Sequence, residues 1–222
     1  SLKQVGVHGL NISIDSLRPE KFREITRGGS LEQCRAGIDA ALAAGFRVKL
    51  NIVTMAGINS DEILDFVELA RELPLEVRFI EYMPTRGRQA DPGLTVPSSK
   101  VLDIISGRHE LTALTSDLHA GPAHRFRVAD WPGKVGVISP VSCHFCQDCN
   151  RIRVTASGMA RSCLFHEVGL DLRPWLKRND ASGLAEALKR VVTIKPEAHN
   201  LGQDGTSGED DTGSVFMSRL GG

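Results

Sequence analysis

Between Leu10 and Tyr82 three strand-like runs alternate with helical stretches, and that alternation leaves few topologies open. Leu10-Asn-Ile-Ser-Ile-Asp15 reads as a short apolar strand, followed by a helical stretch from Pro19 to Ile25. Ser30-Leu-Glu-Gln33 is a capping box, which predicts a helix ending at Gly45. Arg47-Val-Lys-Leu-Asn-Ile-Val53 alternates as a half-buried strand does. Asn59-Ser-Asp-Glu62 predicts the cap of a helix running to about Leu73, and Glu76-Val-Arg-Phe-Ile-Glu-Tyr82 predicts a third strand. Strands joined through helices require right-handed crossovers and therefore a parallel sheet. Ligands of such sheets gather at the C-terminal strand ends. Three strands cannot close a barrel, so the first third reads as half of a larger α/β unit.

The character then changes. From Thr85 to Val96 the chain is loop-like and rich in Gly, Pro and Arg, and Pro97 to Ile105 reads as a short helix. Three β-like runs follow, at Arg125 to Ala129, Lys134 to Ser139 and Arg151 to Thr155. The last turns at Ser157-Gly158 into a partner strand ending near Cys163. Asp180 to Val192 predicts a final helix with Leu184, Leu188 and Val191 on one face, and the tail from Pro196 is polar and Gly-rich. This pattern divides the chain into an α/β part, 1–96, and a β-rich segment, 97–222.

Composition narrows the partners. Lys plus Arg is 27 and Asp plus Glu is 27, so no global field draws the chain to nucleic acid or a membrane, and an anionic ligand needs a local cluster of cations. No run of 18 apolar residues is present, and Ser1-Leu-Lys-Gln-Val-Gly-Val-His8 has no signal-peptide pattern. The expected compartment is the reducing cytoplasm, where clustered cysteines bind metal rather than form disulfides. A start at Ser1 that runs quickly into a buried strand is expected of a fragment.

Four of the five cysteines fall within 21 residues. Cys146, Cys149 and Cys163 form C-x2-C-x13-C, and Cys143 stands just ahead of them. Thiolates are soft ligands suited to zinc or an iron–sulfur cluster. Four ligands would close a structural zinc site, whereas three would leave one metal position open, and spacing alone does not choose. The run Cys143-x2-Cys146-x2-Cys149 lacks the Cys-Pro that completes ferredoxin-type motifs. Cys34 falls at an apolar helical position and reads as an ordinary buried thiol. His144 and His166 flank the cluster and read as neighbours of it rather than ligands.

Arg151 and Arg153 share a strand face with each other and with Cys149. Two planar, permanently charged forks beside a metal suit phosphate oxygens. Lys49 lies mid-strand between apolar neighbours, where an ammonium either meets a ligand or reaches out to solvent, and Ser13 is similarly placed.

The run Phe145-Cys-Gln-Asp-Cys-Asn-Arg-Ile-Arg-Val-Thr-Ala-Ser-Gly-Met159, with Arg161-Ser-Cys-Leu-Phe165, resembles the C-terminal cluster region of the GTP 3',8-cyclases. These are radical S-adenosylmethionine (SAM) enzymes, classed as lyases, of molybdenum cofactor biosynthesis. Asn11-Ile-Ser-Ile-Asp-Ser-Leu17, Val48-Lys-Leu-Asn51, Arg78-Phe-Ile-Glu-Tyr-Met-Pro84, Lys195-Pro-Glu-Ala-His-Asn-Leu201 and Met217-Ser-Arg-Leu-Gly-Gly222 continue the likeness in order. The resemblance implies that Cys146, Cys149 and Cys163 hold a [4Fe–4S] cluster with one iron open to GTP. It implies GTP contacts from Lys49, Arg151, Ile152 and Arg153, a SAM site lined by Ser13 and Met83, and a Gly221-Gly222 tail reaching into the active site. Cys143 becomes a bystander. The expected architecture is half of a (β/α)6 barrel followed by a cluster-bearing segment.

In that family a deoxyadenosyl radical takes the ribose C3' hydrogen of GTP, and C3' then joins guanine C8 to give 3',8-cyclo-7,8-dihydro-GTP. The radical comes from SAM at a second [4Fe–4S] cluster on C-x3-C-x2-C, whereas here Cys34 is the only cysteine before Cys143. The resemblance therefore predicts a GTP-holding portion, inactive alone, with the second cluster in a missing N-terminal part. It names no electron donor and allows a homodimer. The competing expectation is a non-catalytic zinc-binding or nucleotide-binding remnant.

Overall fold

The computed structural model describes residues 2–83, 91–115, 121–143, 146, 149, 151–163 and 168–197. The chain forms two compact units, one from 1–83 with 92–143 and the other from 84–91 with 144–222.

The first unit begins with strand β1 (Gly9–Ser13), helix α1 (Pro19–Ile25), helix α2 (Leu31–Ala43) and strand β2 (Arg47–Thr54). Pro19 opens α1, where a missing N–H costs nothing. The capping box works as its sequence predicts: Ser30 Oγ accepts the Gln33 N–H at 3.2 Å. Helix α3 (Ile63–Glu72) leads to strand β3 (Glu76–Glu81), then helix α4 (Ser98–Ser106) and strands β4 (Leu111–Leu114), β5 (His124–Val128) and β6 (Lys134–Ile138). Among the described residues these six strands form one sheet in the order β1-β2-β3-β6-β5-β4. The first four are parallel neighbours, while β6-β5 and β5-β4 are antiparallel. The unit is thus mixed α/β with a mainly parallel sheet.

One face of the sheet carries the core. Val48, Leu50 and Ile52 of β2, Val77 and Phe79 of β3, and Val135 and Val137 of β6 are buried in one cluster with Phe22, Ile38, Phe66 and Val101 from the four helices. Phe66 and Phe79 meet edge to face with centroids 6.4 Å apart. β6 approaches α3 so closely at its entry that a Cβ on Gly133 would stand 2.5 Å from the Ala70 carbonyl oxygen.

Asn59 does not cap α3. Its side chain accepts the Met55 N–H and donates to the carbonyls of Asp15 and Val53, because a 3-10 turn (Ser60–Glu62) precedes the helix and removes the cap position. Fully buried Glu62 accepts Ser16 Oγ and the Leu17 N–H, and pairs with Lys21 at 2.8 Å. This network fixes the chain where it leaves β1.

The second unit contains strands β7 (Arg153–Val154), β8 (Met159–Arg161) and β9 (Gly169–Asp171), paired antiparallel in that order, and helices α5 (Arg173–Lys177) and α6 (Ala181–Thr193). Its own small core joins Ala160, Leu172, Ala187 and Val191. Asp180 caps α6 by accepting the Gly183 N–H at 2.8 Å. The strand predicted over Arg151 to Thr155 is shorter than its sequence suggests. No helix among the described residues is long and apolar enough to cross a membrane.

Glu81, at the end of β3, holds the first unit's loops. Its buried carboxylate accepts the Ser98 N–H at the start of α4, the Val141 and Ser142 N–H groups and the Ser142 hydroxyl. Burial pushes this carboxyl up, but the hydrogen bonds from Ser142, Ser98 and Val141 outweigh it and hold the pKa below the ordinary value. A depressed folded pKa adds stability above the unfolded value and loses it as pH falls through the folded one. Glu81→Gln is therefore expected to lower unfolding free energy by about 1–3 kcal/mol at pH 7, a gap that narrows toward pH 3 in urea titrations.

Candidate functional site

The sheet face away from this unit's helices carries several polar residues. Strand register sets Ser13 beside Asn51 and Asn11 beside Lys49, and then Lys49 beside Glu76 and Asn51 beside Arg78. The alternation of β2 explains this: Val48, Leu50, Ile52 and Thr54 are buried on the helix side, and the residues between them project the other way. Arg78 Nε donates to Glu76 Oε1 at 2.5 Å, so a buried guanidinium is compensated within its own strand. Asn51 Oδ1 is buried with no hydrogen-bond partner among the described residues.

The expected ligand contacts of this unit are spread along that face, Ser13 two register positions from Lys49 and Met83 farther on. Ser13 is the last residue of β1, and Met83 lies two residues beyond β3, both at C-terminal strand ends. Lys49 lies toward the start of β2, lining a recess of about 210 Å³ with Arg47, Glu76, Arg125 and Lys134. Cys34 is a half-buried thiol beside the Ser13 carbonyl, with its pKa raised by burial.

In the second unit the β7–β8 hairpin lies between Cys149 and Cys163 in the chain. Thr155 N–H donates to the Met159 carbonyl and Gly158 N–H to the Thr155 carbonyl, each at 2.9 Å. Gly158 has φ +84°, and a Cβ there would meet Arg173 Cγ at 2.8 Å, so the turn requires glycine on both counts. Register sets Arg153 opposite Arg161. Arg151 and Cys163 lie two residues beyond that pair, outside both strands. The hairpin thus turns the chain back within the thirteen residues between Cys149 and Cys163.

The loop ahead of β7 is tied down from a distance. Cys149 N–H donates to the Cys146 carbonyl at 3.2 Å, and Lys195 Nζ donates to the carbonyls of Cys149 and, at 3.2 Å, of Arg151. That second contact engages the Arg151 carbonyl in the loop, and β7 begins only at Arg153. Burial pushes the Cys149 thiol up, but the Arg151 N–H and the Lys195 ammonium, with Arg153 nearby, hold it below the ordinary cysteine range.

Cys146, Cys149 and Cys163 are free and half-buried, and Cys143 is free and exposed. Reduced thiols, one of them with a lowered pKa in a loop backed by an ammonium, fit the donor set of an iron–sulfur cluster. Among the described residues no three Cys, His, Asp or Glu are gathered closely enough to hold a metal ion. Arg151 and Ile152 are exposed and Arg153 half-buried. His144, His166, Gly221 and Gly222 lie outside the described residues.

Comparison with known proteins gives matches to both units. The profile of the family described as Molybdenum Cofactor Synthesis C matches residues 75–201, and that of the Radical SAM superfamily matches residues 1–70. The chain is 50% identical over 201 residues to a GTP 3',8-cyclase of Geobacter sulfurreducens, covering 90% of this chain and 62% of that protein. A GTP 3',8-cyclase of Marinobacter nauticus is 45% identical over 210 residues, covering 92% and 63%. One of Ectopseudomonas mendocina is 42% identical over 226 residues, covering 100% and 67%. The chain thus spans about three-fifths of the length of the first relatives it matches, 62% and 63%.

Sequence reasoning missed Asn51 and Lys195. Asn51 stands two residues after Lys49 on an alternating strand, so the same period-two argument reaches it. No local signal links Lys195 to a loop more than forty residues before it in the chain. Replacing Lys195 by Met removes two charge-assisted hydrogen bonds. Amide hydrogen exchange in 149–154 is expected to quicken by roughly tenfold or more, with α6 unchanged.

Proposed function

The chain belongs to the GTP 3',8-cyclase family of molybdenum cofactor synthesis, and we propose that it forms the part of such an enzyme that holds GTP. The observation that supports this reading is the β7–β8 register, which pairs Arg153 with Arg161 and turns the chain back toward Cys163, two residues after Arg161. In this reading Cys146, Cys149 and Cys163 hold a [4Fe–4S] cluster, and Cys143 stays outside the ligand set. When bound, such a cluster supplies one iron without a cysteine ligand, at which a purine can be held.

The rest is positioning by the chain's own groups. The guanidiniums of Arg151 and Arg153 donate to the triphosphate oxygens, and Ile152 stands between them in the chain. Lys49, in its cationic recess, is the GTP contact of the first unit, while Ser13 and Met83 serve SAM at the C-terminal strand ends. The orphaned Asn51 Oδ1 beside Ser13 supports a ligand with hydroxyl or amine donors there. The conversion joins ribose C3' to guanine C8, giving 3',8-cyclo-7,8-dihydro-GTP. Holding the purine and the phosphates separately keeps those two carbons close, a contribution of orientation to the rate. Gly221-Gly222 would enter the same active site.

The first unit is read as half of a (β/α)6 barrel. Its helices cover one face of a parallel sheet, and parallel sheets are normally covered on both. This sequence carries no C-x3-C-x2-C motif, so we assign it GTP holding rather than radical generation and expect no cyclisation by the chain alone.

Anaerobic reconstitution with iron and sulfide tests the assignment. The expected product is brown, with roughly four irons per chain. Arg151→Ala with Arg153→Ala should keep that iron while weakening GTP binding by roughly tenfold or more in equilibrium dialysis. A colourless protein with about one zinc per chain would overturn the cluster reading in favour of a zinc-binding remnant.

A further inference from the structure

We propose that Arg161 is a third phosphate-binding arginine of the nucleotide site, acting from β8 across the hairpin from Arg153. The proposal rests on the reading above that this segment holds GTP. Three separate observations converge on the side chain.

The first is its direction. Arg153 and Arg161 are directly paired across antiparallel strands, so their side chains leave the sheet on the same face. Burial along β8 alternates: Ala160 and Ser162 are 0% and 1% exposed on the core side, while Met159, Arg161 and Cys163 are half-buried on the other. Arg161 thus shares its face with Arg153 and with the cluster cysteine two residues on.

The second is its support. β9 sets Gly169 opposite Arg161, and a Cβ there would meet Arg161 Cγ at 3.3 Å. Glycine leaves the space in which the arginine stem lies, so the side chain has a bed rather than a free path to solvent.

The third is its unmet need. Arg161 Nε and Nη1 are buried and have no hydrogen-bond partner among the described residues. Guanidinium donors withdrawn from water and left unpaired are costly, and two cations directly opposite each other add repulsion. An anion between the strands relieves both costs. Nε and Nη1 donate from different edges of one guanidinium, so they call for separate acceptor oxygens, which the several oxygens of a polyphosphate supply. The face holds both arginines and a thiol, so its occupant brings phosphate to the arginines and something else to the metal. A nucleoside triphosphate does this.

The test uses the full chain, reconstituted anaerobically, with GTP and guanosine titrated by equilibrium dialysis. Arg161→Met is expected to weaken GTP binding by roughly tenfold or more while leaving guanosine binding, iron content and the visible spectrum unchanged. Arg161→Lys, which keeps a charge and a stem over Gly169, is expected to fall between. If GTP affinity is unchanged in Arg161→Met but drops when Arg151 and Arg153 are replaced, the inference is wrong and the nucleotide reading stands. Equal losses for GTP and guanosine, or loss of iron in both variants, would also overturn it, since the residue would then serve the purine, the cluster or the fold. A wild-type chain that binds iron but no GTP would bring down the reading and the inference together.

Discussion

The parallel sheet of the first unit is covered by helices on one face, and that asymmetry decides what its other face can be. Most strand side chains on the helix side are apolar and buried with the helices, as Val48, Leu50 and Ile52 show. The far side carries polar residues, Asn11, Ser13, Lys49, Asn51, Glu76 and Arg78, with apolar Val53, Ile80 and Ile138 farther along the strands. Arg78 is met by Glu76, whereas Asn51 keeps an orphaned acceptor. A sheet with one greasy and one polar face is costly as a free-standing surface and useful as the wall of a ligand chamber. The loops at its C-terminal end are held by buried carboxylates, Glu62 after β1 and Glu81 after β3, which set the level at which Ser13 and Met83 stand.

The second unit solves a different problem with less material. Its core is a handful of side chains from β8, the segment after β9, and α6, enough to seat a three-stranded sheet whose open face carries charge. Local devices supply the remaining order. Gly158 turns the hairpin, Gly169 makes room for an arginine, and Lys195 reaches back to two carbonyls of the thiol loop. A loop bearing thiolates gains from such an ammonium twice. It fixes backbone carbonyls that have no strand partner, and it offsets negative charge gathered by the sulfurs.

Much of the fold is legible from periodicity. The strands of 47–54 and 76–81 and the helix opened by Ser30 follow from alternation and a capping box, both of which act within a few residues. Asn59 shows where such reasoning fails, since its side chain satisfies Met55, Asp15 and Val53, partners set by tertiary structure. The β character near Arg125 and Lys134 is visible in sequence, but the insertion of β6 beside β3, parallel to it, is not, because strand order is a long-range property. In the candidate site, the rule that residues two apart share a strand face groups Arg151 with Arg153, but the strand itself begins only at Arg153. Applied backwards from Cys163 the same rule reaches Arg161, whereas Lys195 is visible only in three dimensions.

The central claim is that the thiols and the arginines serve one ligand, with the nucleotide meeting the metal while its phosphates are held by guanidiniums. The most direct measurement is the electron paramagnetic resonance spectrum of the reconstituted, reduced chain, recorded with and without GTP. The account predicts that GTP changes the cluster signal and that guanosine monophosphate changes it only at much higher concentration. A cluster signal indifferent to saturating GTP, in protein that binds GTP, would mean that the nucleotide and the metal occupy separate sites, and would contradict it.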